Sequence, residues 1–456
     1  MAPVTDTRAA CRRSFARSAT LAAALFISLP SPAMDLREAY LAALDRDATL
    51  RVSRAAARVG QERLPQARAQ MLPNLSASIG HTRNDLDFSS PDPVTGRSRQ
   101  NDSRYNSNNQ TVTLRQPLIR PFQWAQLRQA EAQVADANAK LDNELQNVGV
   151  RVAEAYFQTL QADDELALVL AQKTSFEAEL DAARKSLAAG VATRVGIEDA
   201  QARLDMVAAQ ELEARQQRDH ARLQLQTLVD RPVDQLAPLD LDSLQLLPPE
   251  PARVDDWVER ALRGNAEMRA LQAQLEAARQ EVDKARAGHY PTLDATAQWS
   301  RSQSENVLNT ASRYTNVAVG VQLNVPIFAG GQVDSSVRQA LAEQDRVEAS
   351  LDAMRRDLGL RVHQAYRSVT ESILRARALE QSVRAADHLV RSAQKSFEGG
   401  SQTRLDVLDA EQRRTGALRD LARARYVCLV SGIRLQALVG GERDAAIDAV
   451  NASLKR

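Results

Sequence analysis

The sequence predicts a mainly α protein in which long coiled-coil helices are interrupted twice by a pair of membrane-type β-strands. Three observations carry that expectation. First, the chain repeats itself. Lys185-Ser186-Leu187-Ala188-Ala189-Gly190, followed by Thr193-Arg194 and Asp199-Ala200, recurs 210 residues later as Lys395-Ser396-Phe397-Glu398-Gly399-Gly400, Thr403-Arg404 and Asp409-Ala410. An offset of 218 carries Leu72-Pro73-Asn74-Leu75 onto Tyr290-Pro291-Thr292-Leu293. Second, residues 122–189 and 332–398 contain no proline and a single glycine each, Gly149 and Gly359. Third, a period of two marks short segments between the helices, the signature of strands with one apolar and one polar face.

Composition agrees. Aromatic residues are only 4% of the 456, and Ala, Leu, Gln, Arg and Glu dominate, the profile of long helices rather than of a compact mixed core. Residues 1–33 read as a secretory signal peptide: Arg8, Arg12, Arg13 and Arg17 form a basic start, residues 19–29 an apolar run, and Ser31-Pro32-Ala33 a small-residue cleavage site. That segment carries four Arg and Asp6, a net +3, so the whole-chain charge of +1 becomes −2 after cleavage. Nothing in this balance points to nucleic acid. Cys11 leaves with the signal and Cys428 alone forms no internal disulfide. No later apolar stretch is long enough to span a bilayer as a helix.

The elements follow in order. Residues 34–229 form a first repeat: a helix over 35–71, a β-hairpin over 74–120, a long helix to 189 and a shorter one over 193–229. Leu75, Ala77 and Ile79 alternate with Asn74, Ser76 and Ser78, and Val112 and Leu114 mark a weaker returning strand. The long helix of about 67 residues spans roughly 100 Å at 1.5 Å per residue, and the shorter one about half that. Residues 230–254, with Pro232, Pro238, Pro248, Pro249 and Pro251, read as a linker at the waist of the bundle. Residues 255–440 repeat the plan, with a helix to 290, a hairpin over 291–328, a long helix over 332–398 and a short one over 403–439. A tail, 441–456, closes the chain. In the second hairpin Leu293, Ala295, Ala297 and Trp299 alternate with polar residues, as do Val317, Val319, Val321, Leu323 and Val325. Polar loops are expected over 85–109 and 302–312. Mid-helix Gly149 and Gly359 are expected at close helix contacts, since glycine there otherwise costs about 1 kcal/mol.

Four strands cannot close a barrel, and an open edge cannot face lipid with its backbone groups unpaired. Strands that span a membrane must therefore be shared among chains. Two chains give eight strands with a filled interior; three give twelve and leave a lumen. Trp299 and Tyr314, near the strand ends, suit a membrane-interface belt. A small soluble hairpin domain on a coiled coil gives the same alternation, and the pattern alone leaves both open.

These residues resemble a family. The paired hairpins, Val325-Pro326-Ile327-Phe328-Ala329-Gly330-Gly331 and above all Phe397-Glu398-Gly399-Gly400-Ser401-Gln402-Thr403-Arg404-Leu405-Asp406-Val407-Leu408-Asp409-Ala410 are similar to the TolC-like outer-membrane factors of tripartite efflux and type I secretion, over essentially the whole length after residue 33. The last stretch is similar to the family's Gly-x-x-(Ser/Thr)-x-x-Asp-Val-Leu-x-Ala helical turn. The resemblance implies a homotrimer with a 12-stranded barrel in the lipid of the outer membrane and a coiled-coil barrel of helices through the periplasm. It implies partners: a periplasmic adaptor (membrane fusion protein) and an inner-membrane ABC transporter or other pump.

The same resemblance places an acidic, cation-selective constriction at Asp406 and Asp409. The residues themselves also suit helix capping, Thr403 with Asp406 forming a capping-box-like pair. Gly190 and Gly400, with Gly399, mark tight helix-to-helix turns. By resemblance those turns, with Thr193, Arg194, Thr403 and Arg404, dock the adaptor. The family's tip clasp of a tyrosine and an arginine falls on Phe397 and Gln402, so Arg194 or Arg404 is the candidate replacement, with a solvated face residue the equal alternative for either arginine. No catalytic, metal-ligating or phosphate-binding constellation occurs, so neither an enzyme nor a cofactor is expected.

The expected function is the passive exit duct of a type I secretion system. Pump-type members are often lipidated at an N-terminal Cys, absent after residue 33, and the chain resembles outer-membrane components of exporters of the adenylate-cyclase-haemolysin type. A duct for small-molecule efflux and, from another class, a soluble periplasmic coiled-coil or adaptor protein are the alternatives.

Overall fold

In the computed structural model, residues 33–455 are described apart from 92–93, 191–192, 241–243, 306–310 and 442. The expected signal peptide lies, but for its last residue, outside the described residues. Asp35 opens helix α1 (Leu36–Arg46) by accepting a hydrogen bond from the Glu38 amide at 2.7 Å. The single helix expected over 35–71 is broken twice. Asp47 leaves helical geometry and caps α2 (Ala48–Gln61) through the Thr49 amide, 2.8 Å from its carboxylate. Helix α3 (Arg63–Ala69) then begins at Glu62, where Pro65 can offer no amide to the turn before it.

Strands β1 (Asn74–Pro91) and β2 (Ser98–Ile119) form the first hairpin. Helix α4 (Pro121–Ala188) starts with proline, whose missing amide is no loss in a first turn, and runs 68 residues before α5 (Arg194–Val229) returns 36. After the linker, α6 (Val254–Gly264) and α7 (Ala266–Arg286) replace the one helix expected to 290, with Asn265 capping the break through the Met268 amide at 3.0 Å. A short 3₁₀ turn at Ala287–His289 leads into β3 (Thr292–Glu305) and β4 (Ala311–Asn324). Helices α8 (Gln332–Glu398), α9 (Arg404–Val439) and α10 (Arg443–Asn451) complete the chain, so the expected tail contains a helix of its own.

The four strands make one antiparallel sheet in the order β1-β2-β3-β4 with both outer edges unpaired by the chain. Its hairpins are longer than the apolar alternation suggests. Pairing continues to Pro91↔Ser98 in the first and Glu305↔Ala311 in the second, so most of the two expected loops is strand. The reason is that a strand whose two faces are both polar has no apolar face to maintain. Its backbone still pairs, but the period of two vanishes from the sequence.

At mid-height the repeat becomes physical. The Tyr156 hydroxyl donates toward the carbonyls of Ala237 (2.9 Å) and Met34 (3.1 Å), and that of Tyr366 donates to Ala252 (2.5 Å). Tyr156 and Tyr366 are 210 apart, Met34 and Ala252 are 218 apart, matching the two repeat offsets. Buried Tyr156, Phe157, Val152, Leu36, Leu225 and Ile447 form one waist core; Trp257, Leu358, Val362, Met268 and Leu435 form its counterpart. The linker packs here: Met34 bridges Leu236 and Leu239 bridges Leu454. At Gly149 a Cβ would meet Ile447 on α10 at 3.4 Å, an ordinary van der Waals distance, so no close helix approach requires the glycine there. Gly359 faces open space, because nothing equivalent to α10 covers the second copy.

Candidate functional site

The end of the bundle away from the sheet is made by two helix reversals, α4 to α5 and α8 to α9. Gly190 (φ +75°) and Gly400 (φ +73°) occupy the left-handed region that a Cβ disfavours, which is why each reversal needs glycine. In the second, the amides of Gly399, Gly400, Ser401 and Gln402 donate to the carbonyls of Lys395, Phe397, Ser396 and Ser396. Thr403 then closes a full capping box: its amide and hydroxyl each donate to the Asp406 carboxylate at 2.8 Å, while the Asp406 amide donates back to the hydroxyl. These bonds to Thr403 hold the Asp406 carboxyl below the usual carboxylate range. The first reversal lacks the box: Thr193 makes no side-chain cap, and Gly196 stands where an acid would reply. Among the described residues Arg194 reaches only Glu198, at 4.0 Å.

Asp409, one turn along α9, has a different partner. Arg203 on α5 lies 3.7 Å from it and 3.0 Å from Asp199, its repeat equivalent. Half-buried Glu179 of α4 faces the same cluster. Burial pushes its carboxyl up, and Arg203 and Arg404 oppose that shift. The cluster therefore joins three helices, and packing of Phe176, Val207 and Leu408 backs it. Phe397 is partly exposed and the Gln402 side chain forms no hydrogen bond among the described residues. The cross-helix ion pair is made by Arg203, not by Arg194 or Arg404. The signal available was the repeat itself: Asp199 and Asp409 are equivalent, and Arg203 follows Asp199 by one helical turn.

At the other end, the sheet register sorts the side chains. Ala77, Val112, Trp299 and Val317 form one row across the four strands, and Leu75, Leu114, Ala297 and Val319 the next. All the apolar alternations thus meet on one face, where Ile79, Val319 and Val317 are 83%, 82% and 70% exposed. The opposite face carries Ser78, Thr111, Ser300 and Asn316 in one row. Trp299 lies on the apolar face, but in mid-strand. Tyr314 pairs with Ser302 and sits on the polar face, so the two do not form one belt. The exposed aromatics that flank the apolar band instead lie where strands meet helices: Phe122, Trp124, Tyr290 and Phe328. Their neighbouring prolines, Pro121, Pro291 and Pro326, were the available signal.

On the polar face beside this junction, Asp294 is buried and accepts from Arg115 (2.6 Å) and, through both oxygens, from Arg120. It ties β3 to β2 and to the residue that precedes α4. No grouping of three His, Cys, Asp or Glu among the described residues could hold a metal ion, and no described helix is long and apolar enough to cross a membrane. Cys428 is buried, and burial pushes its thiol up.

Comparison with known proteins places this geometry. A family model described as "Outer membrane efflux protein" matches residues 39–230 and 257–441, the two repeats. The chain is 31% identical over 410 residues to the proteases secretion protein PrtF of Dickeya chrysanthemi, covering 90% of this chain and 88% of that one. It is 32% identical over 425 residues to the alkaline protease secretion protein AprF of Pseudomonas aeruginosa, with 92% and 87% covered. Among solved structures, the Campylobacter jejuni CmeC outer membrane channel superposes with a TM-score of 0.76 over 92% of this chain and 90% of that one, at 16% identity, a likeness of fold.

Proposed function

Because this chain belongs to the outer membrane efflux protein family, we propose that it is the exit duct of a type I protein-secretion system. It is a protein of the outer membrane whose helices extend into the periplasm, and members of its family are trimeric channels that work with an adaptor and an inner-membrane transporter. The observation that carries the reading is the sheet: four strands with an apolar exposed face, a polar opposite face and two open edges. Such a sheet is stable in lipid only when copies of the chain close it. Three copies supply twelve strands and a lumen. Exposed Val195, Met206 and Leu223 on α5 and Leu360, Leu374 and Leu389 on α8, uncovered within one chain, supply the lateral contacts. The relatives named for secretion of proteases make a secreted protease the first cargo to test, ahead of a haemolysin-type toxin.

Within that duct Asp406 and Asp409 line the periplasmic constriction, and the turns at Gly190, Thr193, Arg194, Gly399, Gly400, Thr403 and Arg404 receive the adaptor. The duct itself does no chemistry. In a trimer the two acids form stacked rings of carboxylates, which favour cations. Recordings from single channels in bilayers test the rings: trivalent cation should block the parent channel and block the Asp406→Ala/Asp409→Ala variant far less, and equal block would remove the rings from the account.

The function is tested in cells carrying the cognate pump and adaptor. Removing this chain should confine the protein cargo to the cells, and restoring it should return export. Continued secretion without the chain, or a loss of resistance to small toxic molecules with secretion intact, would assign the duct to efflux instead.

A further inference from the structure

The face of the sheet that carries the apolar band does not stay apolar. One row beyond Trp299 it presents Arg301, in line with Ile79, Gln110 and Thr315. The next row holds His81, Asn108, Gln303 and Arg313, and the next Arg83 opposite Asn106. Successive rows are about 7 Å apart along a strand, so three arginines and a histidine lie within roughly 20 Å of the upper edge of the band. The opposite face at the same levels is uncharged: Gly80, Asn109, Ser302 and Tyr314, then Thr82, Ser107, Ser304 and Ser312. The basic residues are therefore confined to the side that continues the apolar band.

Arg83, Arg301 and Arg313 are exposed and none pairs with a carboxylate among the described residues. Arg313 donates to Gln303 at 3.1 Å, a contact that fixes its guanidinium along the row without cancelling its charge. His81 is held similarly by Asn108 at 2.7 Å. By backbone register Glu305 stands in the same row as Arg83, and the acids beyond that row are Asp85, already paired with Arg104 at 3.1 Å, Asp87 and Asp102. The helices lie on the periplasmic side, so this edge of the band meets the outer leaflet. A cation row just above an apolar, lipid-facing surface with a tryptophan at its boundary matches a lipid whose acyl chains lie beside the band and whose anionic groups stand at its rim. Guanidinium groups suit phosphate because their paired N–H donors match its oxygens.

We propose that Arg83, Arg301 and Arg313 form an outward-facing site for the phosphate groups of the phosphorylated glycolipid in the outer leaflet. Closing the barrel with three copies places nine such arginines around its rim. This inference rests on the membrane placement of the sheet and is independent of the cargo.

Native mass spectrometry of the full-length, detergent-extracted trimer tests it with lipid A bearing two, one or no phosphates. The parent protein should retain the diphosphorylated form best and the phosphate-free form at least tenfold less. Arg83→Gln/Arg301→Gln/Arg313→Gln should lower retention of the diphosphorylated form at least fivefold, and the triple Lys variant should recover part of it. Equal retention of all three lipids by the parent protein would overturn the proposal, and that arm needs no variant to fold. Equal retention by a trimeric triple Gln variant would overturn it too, as would binding of inorganic phosphate alone with no lipid A retained.

Discussion

Asp409 of α9 is held by Arg203 of α5, 3.7 Å away, and the same guanidinium binds Asp199, the residue that Asp409 repeats. One cation thus joins the two reversals of the chain, at the end where the constriction is proposed. The side chains are partly exposed, so the pair is worth only about 0–1 kcal/mol to folding. Its effect on the opening is expected to be larger. Arg203→Ala should leave thermal stability nearly unchanged while raising single-channel conductance, and it should strengthen cation block because Asp409 loses its countercharge. Unchanged conductance and block would show that the pair does not restrain the tip.

Asp406 stabilises the start of α9 as a cap, and its carboxyl is held below the ordinary carboxylate range by Thr403. The sign follows directly. A carboxyl whose folded value is depressed adds stability above its unfolded value and loses it as pH falls through the folded one. Amide hydrogen exchange in the first turn of α9 should therefore lose protection as pH drops below that ordinary range. Thr403→Val, which removes the hydroxyl from the box, should flatten that step. A step of the same size in the variant would show that Asp406 is not coupled to the cap.

The two waist tyrosines make equivalent bonds in unequal surroundings. Tyr156 is fully buried and serves two carbonyls, whereas the bond from Tyr366 is exposed. Tyr156→Phe removes the hydroxyl donor from the buried Ala237 carbonyl, while the Met34 carbonyl keeps the Ala237 amide, and it should cost about 1–3 kcal/mol; Tyr366→Phe should cost under about 1 kcal/mol, because water replaces the donor. Denaturant titration of helical signal reads both, and equal losses would contradict the difference in burial.

Asp294 is the one anion paired with Arg115 and Arg120 among the described residues at the foot of the sheet. Asp294→Ala leaves two guanidiniums without it. Because Arg115 is half exposed, the expected cost is about 1.5–3 kcal/mol, the range of hydrogen bonds to charged groups. On unheated gels the variant trimer should dissociate at a lower temperature than the parent. Equal dissociation temperatures would place the integrity of the foot elsewhere.

Much of this architecture was legible in the residues, because long proline-free runs and strict alternation are one-dimensional signals of regular elements. The breaks at Asp47 and Asn265 were not anticipated, since each depends on a buried cap contact at the waist: Arg151 bonds Asp47, and Asn265 bonds the Leu438 carbonyl. The polar extensions of the hairpins escaped for the opposite reason, having pairing but no apolar period. Tyr314 stands three residues before Val317 on the same strand, and alternation along β4 alone puts it on the polar face, a parity the apolar run from Val317 onward already contains. At the tip, the turn glycines and the cap were readable locally. Arg203 was not, because its partner Asp409 lies 206 positions away.

The central claim is that this four-stranded sheet is one third of a closed barrel. The mass of the intact particle, extracted from outer membranes in mild detergent and weighed by native mass spectrometry, tests it most directly. Three copies of the chain per particle is the expected result. A two-copy particle, whose eight strands would fill their own interior, or a single chain recovered without detergent would contradict it.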